Sequence, residues 1–149
     1  AYSVAVDRDQ ASIMYRKAAR RLGCEYQLFD DIGRPIEAKY STGAIYGLCA
    51  PNEKKRVEPA GQFNRSRIVM RGTKIEHWLN GEKIVDVDSS SEDWQKRIAK
   101  SKFNQVENIF KNPKGRIQLQ DHGSKVWFRE ITIQELDEET GSEPQSISP

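Results

Sequence analysis

The stretch FNRSRIVMRGTKIEHWLNGEKIVDVD, residues 63–88, decides the fold. It divides into three runs, Phe63–Arg71, Lys74–Leu79 and Glu82–Asp88, with a two-residue break between each pair. The second break is Asn80-Gly81, the strongest short hairpin signal, because a two-residue turn of this kind needs positive φ at both central positions. Gly72-Thr73 joins the first pair. The pattern predicts three antiparallel strands in a meander. In the register that two-residue loops impose, His77 faces Ile68 on one side and Ile84 on the other, and Trp78 shares a face with Arg67 and Lys83.

Outward from this meander the chain repeats the same grammar. Ser12–Arg16 is a short strand, and Glu25–Asp30 alternates, with Tyr26 and Leu28 on one face and Glu25 and Gln27 on the other. Residues 31–41 carry Gly33 and Pro35 and read as a loop. Ala44–Leu48 is a further apolar stretch. After the meander, Ser89–Ser91 supply caps, and Ser89 with Glu92 has capping-box spacing. Trp94 and Ile98 then lie four apart on one face of a single helix. Arg116–Asp121 alternates again, and Val126–Leu136 is the last strand. Residues 137–149, acidic and bearing Ser and Pro, form a disordered tail. Many short strands, few helices and regular turns predict an all-β sandwich or barrel.

Composition bounds the function classes. The chain has 149 residues, which suits one domain, and its five Phe, five Tyr and three Trp suffice to nucleate a core. Twenty-four basic and 22 acidic side chains are interspersed, for a formal charge of +2. That near-balance argues against a nucleic-acid partner held by a basic field. No run approaches the ~20 apolar residues of a membrane span, and residues 1–10 have no signal-peptide pattern. Cys24 and Cys49 lie in separate apolar stretches and lack the spacing of a zinc site. They read as two buried thiols, or as one disulfide in an exported chain.

The residues able to carry chemistry are few. Histidine suits proton transfer near neutral pH, and the chain has only His77 and His122. The apolar register of His77 leaves it open between a core histidine and a site residue. His122 follows Gln118 and Gln120 to the turn at Gly123, where it serves either the turn or a site. Glu25, Gln27, Gln118 and Gln120 form either a solvated face or a lining suited to a sugar, whose hydroxyls both donate and accept. Trp78 either stacks on a sugar ring or covers the sheet. Asn64-Arg65-Ser66 matches a glycosylation acceptor but lies within a strand. No phosphate loop or nucleophile elbow is present.

Taken in order, the motifs carry more. EYQLFD (25–30), TGAIYGL (42–48), Phe63-Asn64 with Arg67-Ile68-Val69, HWLNG (77–81), GRIQLQDHG (115–123) and VWFREI (126–131) together resemble the 3-keto-disaccharide hydrolase family, from about Ser12 to Leu136. The resemblance implies a concanavalin A-like jelly roll of two antiparallel sheets with one short helix, and one domain over residues 1–136. Members usually carry further strands ahead of the matched segment, and Gln10-Ala11-Ser12-Ile13 stands where a Gly-Asn-Ser-Gly-Ile pattern is usual. A domain shortened at its N-terminus is therefore expected.

The resemblance also implies a bacterial, periplasmic or secreted enzyme that cleaves 3-keto-glycosides. A ketone at C3 acidifies the C2 hydrogen, so a base can remove it, the C1 substituent leaves, and water adds. This differs from the two-carboxylate route of ordinary glycosidases. On this basis Glu25, His122 and His77 are the candidate catalytic residues. Arg16, Gln27, Asp30, Tyr46, Trp78 and Gln120 are the candidates for substrate binding. No cofactor is evident, and a divalent metal near Asp30 is compatible with the pattern. The alternatives are a non-catalytic carbohydrate-binding module and a decayed homologue with neither activity.

Overall fold

A computed structural model describes residues 2–6, 11–17, 23–106, 115–121 and 123–136, with side chains for 23–106, 115–120 and 123–136. Among the described residues, eight strands run in chain order: β1 (Tyr2–Val6), β2 (Ala11–Lys17), β3 (Cys24–Leu28), β4 (Asn64–Arg71), β5 (Lys74–Leu79), β6 (Glu82–Asp88), β7 (Arg116–Asp121) and β8 (Val126–Arg129). One helix, α1 (Glu92–Ala99), follows β6, and a 3₁₀ turn lies at Ala38–Tyr40. The strands form two antiparallel sheets, β6-β5-β4-β1-β8 and β3-β2-β7, in an all-β jelly roll. No helix of the described residues is long and apolar enough to cross a membrane.

The meander is as the turns predict. Asn80 (φ 50°) and Gly81 (φ 90°) supply the two positive angles, and Ile68 pairs with His77. Between β5 and β6 the register differs from the expectation. His77 pairs with Val85, not Ile84, while Trp78 pairs with Lys83, so Ile84 is the extra residue of a β-bulge. The bulge lets consecutive Ile84 and Val85 both enter the core, which strict alternation forbids.

Other boundaries shift for local reasons. The helix cap is Ser91, whose Oγ accepts from Trp94 N at 3.1 Å. Ser89, the expected cap, instead donates its Oγ to Thr73 O at 2.8 Å and ties the end of β6 to the β4–β5 turn. The last strand stops at Arg129, because Glu130 takes φ 52° and turns the chain out of extended geometry. Ala44–Leu48 is no strand: it is a strap with isolated bridges from Ile45 to Tyr26 and to Cys49. Residues 2–6 form a strand that was not expected. The tail beyond Leu136 lies outside the described residues.

The core lies between the sheets, where Cys24, Tyr26 and Leu28 of β3 meet Ile75, Leu79, Ile84 and Val85 of the meander, closed by Trp94 and Phe103. Both cysteines are buried, and neither forms a disulfide. Tyr26 donates its phenol to Trp78 O at 3.1 Å, and its ring centroid lies 4.5 Å from that of His77. These two contacts fix which face of β3 looks inward. α1 docks through Trp94, and Arg97 reaches Leu48 O at 3.3 Å, tying the helix to the strap.

Candidate functional site

Alternation along β3 sends Tyr26 inward and Glu25 and Gln27 to the opposite face. The register extends that face across the small sheet. Ser12 of β2 pairs with Gln27 on one side and Gln120 on the other; Met14 pairs with Glu25 and Gln118. Paired residues project to the same face. Glu25, Gln27, Gln118 and Gln120 therefore share one surface, with β3 and β7 roughly 9–10 Å apart, two strand spacings.

The strap extends the surface past β3. Tyr46 N donates to Glu25 O at 3.0 Å, Gln27 N donates to Ala44 O at 3.1 Å, and Gly43 N donates to Gln27 O at 2.8 Å. Tyr46 thus stands beside Glu25. Its phenol is held above the usual range, first by burial and then by the charge of Glu25 and by Tyr40, so it is protonated at neutral pH. The Tyr40 ring packs on Tyr46 with centroids 5.1 Å apart, and Lys102 Nζ sits 4.3 Å from the Tyr46 centroid. Tyr40 and Lys102 were not legible as site residues. Both come from other loops, and nothing local in the sequence announces the contact.

Gln27 is the unusual member. It is 1% exposed, and its Nε2 is buried with no hydrogen-bond partner among the described residues. An unmet buried donor costs about 1–3 kcal/mol, which a ligand oxygen would recover. Donor-rich carboxamides, a carboxylate and a protonated phenol on one surface can bind hydroxyls, take one proton and give another.

The other candidates lie elsewhere. His77 is fully buried between the sheets, its Nδ1 2.8 Å from Gly43 O. Burial pulls its pKa down to about 4, only partly opposed by that bond, so the ring is neutral at pH 7. Trp78 projects from the far side of the large sheet. Its Nε1 donates to Glu76 at 2.8 Å, and Arg67 and Lys83 place cations 5.3 and 5.8 Å from its ring. Asp30 lies 4.0 Å from Arg34 and lines a narrow crevice with Leu28, Phe29, Thr42, Val57 and Asn64. Arg16 sits on β2 past the Tyr15–Cys24 pair, where the register to β7 shifts. His122 lies outside the described residues. Among the described residues, no group of three His, Cys, Asp or Glu is gathered to hold a metal ion.

Comparison with known proteins bears on the family and the fold. The model of the 3-keto-alpha-glucoside-1,2-lyase-like domain matches residues 2–134. A 3-keto-disaccharide hydrolase from Bacteroides thetaiotaomicron is 28% identical over 129 residues, 76% of this chain and 44% of the relative. The chain therefore spans less than half the length of that curated relative. A crystal structure of a presumptive glycosyl hydrolase from Parabacteroides distasonis superposes with a TM-score of 0.75 at 30% identity, covering 85% of this chain and 64% of the other. A second such structure from the same organism gives 0.66 at 22% identity, over 91% and 76% of the two chains, which speaks to the fold.

Proposed function

The chain belongs to the 3-keto-alpha-glucoside-1,2-lyase-like domain family, and from that premise we propose that its Glu25 surface cleaves 3-keto-glycosides. The observation that carries this is the shared face: a carboxylate, carboxamides that include a buried unmatched donor, and a protonated phenol beside the carboxylate.

The steps follow from the chemistry of a ketone. Glu25 takes the C2 proton, and the C–H electron pair moves into the C3 carbonyl as an enolate. Gln27 and Gln120 donate N–H groups to the enolate oxygen. The enolate collapses to a C1=C2 double bond and expels the C1 oxygen, which takes its proton from Tyr46. Water then adds its hydroxyl at C1 and gives its proton to the Tyr46 phenolate while Glu25 returns its proton to C2, giving net hydrolysis; release before this addition makes the same site a lyase. The base contributes about 10²–10⁴-fold, and each enolate donor about 10²–10³-fold.

The test is release of the keto sugar from a 3-keto-disaccharide. Glu25→Gln should lower kcat by about 10²–10⁴-fold with the melting temperature unchanged. Turnover that survives Glu25→Gln and Gln27→Leu at the wild-type rate would overturn the proposal. Tight binding of an unoxidised glycan without turnover of the keto sugar would favour a binding module instead.

A further inference from the structure

Gly43 is where the interior of the sandwich touches the candidate surface. Its carbonyl can only accept, so the 2.8 Å bond places the His77 proton on Nδ1. Gly43 has φ 82°, and a Cβ there would overlap Ile84 Cδ1. The strap therefore lies flat against the core at this point. On its other side, Gly43, Ala44 and Tyr46 bond to β3 at Gln27 and Glu25. Tyr26 braces the imidazole from the β3 side.

A purely packing role does not explain a histidine here. An apolar side chain would fill the site without the desolvation that burying an imidazole requires. What histidine adds is a directed bond from the large sheet to a strap of the other layer. We propose that His77 is a positioning residue: by gripping the Gly43 carbonyl it fixes the 43–46 strap, and so sets Tyr46 beside Glu25 at the outer face of β3. This deepens, and rests on, the assignment of that face as the sugar site. Displacement of an acid or base by ~1 Å costs on the order of 10²-fold in rate, so a loosened strap is felt at the chemistry.

Three variants test it in the full chain. His77→Leu removes the donor. His77→Asn keeps one, since the Asn amide nitrogen falls where Nδ1 stood. Tyr46→Phe identifies the Tyr46 component of a phenolate absorbance titration. The groups around that phenol are Glu25, Tyr40 and Lys102.

With a 3-keto-disaccharide, His77→Leu should lower kcat by roughly 10- to 100-fold while KM moves little. Its Tyr46 should titrate nearer an ordinary tyrosine, at about 10. His77→Asn should restore both readouts. A folded His77→Leu protein with wild-type kcat and wild-type Tyr46 titration would overturn the proposal. Should His77→Leu not fold, His77→Gln, whose amide reaches past the Nδ1 position, replaces it with the same outcomes. The titration needs no substrate. If the wild type turns over no keto sugar, the sugar assignment fails, and the titration alone decides the positioning role.

Discussion

Acid should destabilise this fold through one imidazole. His77 titrates near 6.5 in the unfolded chain and at about 4 in the folded one, where burial disfavours the charged ring. Between those values the unfolded state binds the extra proton, so folding loses free energy as the pH falls. The contribution is fully present above about pH 6.5 and largely gone by about pH 4. At ~1.4 kcal/mol per factor of ten in the proton affinity, it amounts to about 3 kcal/mol. That is a large share of the ~5–15 kcal/mol that holds a domain together. Urea unfolding of wild type and His77→Asn across pH 4 to 7 measures it, because carboxylates common to both proteins cancel in the difference. The wild type should lose about 3 kcal/mol more than the variant over that interval. Parallel stability curves, or an imidazole signal assigned to His77 by its absence in His77→Asn that titrates near 6.5 by NMR in the folded protein, would refute the reasoning.

Other perturbations have equally definite outcomes. Gly43→Ala puts a Cβ into Ile84 at a left-handed backbone angle and should destabilise by about 2–4 kcal/mol in urea unfolding. Ser91→Ala removes the accepted Trp94 N–H and should cost about 1 kcal/mol, whereas Ser89→Ala should leave the helix cap intact. Trp94→Ala should cost about 3–5 kcal/mol, read by the same method. Trp78→Ala should change kcat/KM for a keto-disaccharide by less than about threefold, because the ring lies across the sandwich from Glu25 with cations beside it.

What could be read from the sequence was what local chemistry dictates. Asn80-Gly81 announces its turn in two residues, and the bounds of β5, β6 and β7 match the alternation that flanks such turns. The polar sides of β3 and β7 are legible for the same reason, since a period of two groups Glu25 with Gln27 and Gln118 with Gln120; that the two pairs share one face follows from the β2 register. The bulge at Ile84 was not, because two-residue loop counting assumes regular pairing and only burial against the other sheet makes Ile84 and Val85 both turn inward. Capping-box spacing favours Ser89 over Ser91 in sequence; the contact of Ser89 with Thr73, 16 residues back, takes it out of that role. The strap at 43–46 and the arrival of Lys102 over Tyr46 are long-range packing events with no local signature. The motif HWLNG makes His77 a candidate through the resemblance but does not say which way it points. Pairing with Ile68 and Val85 settles that.

The central claim concerns a face, and a backbone NMR titration with a C-glycoside analogue of a 3-keto-disaccharide, whose C1–carbon bond offers no leaving group, tests it most directly. The perturbed amides should cluster at Glu25, Gln27, Tyr46, Gln118 and Gln120, with Arg67, Trp78 and Lys83 silent. Perturbations centred on Arg67, Trp78 and Lys83, with Glu25 and Gln27 unmoved, would contradict it.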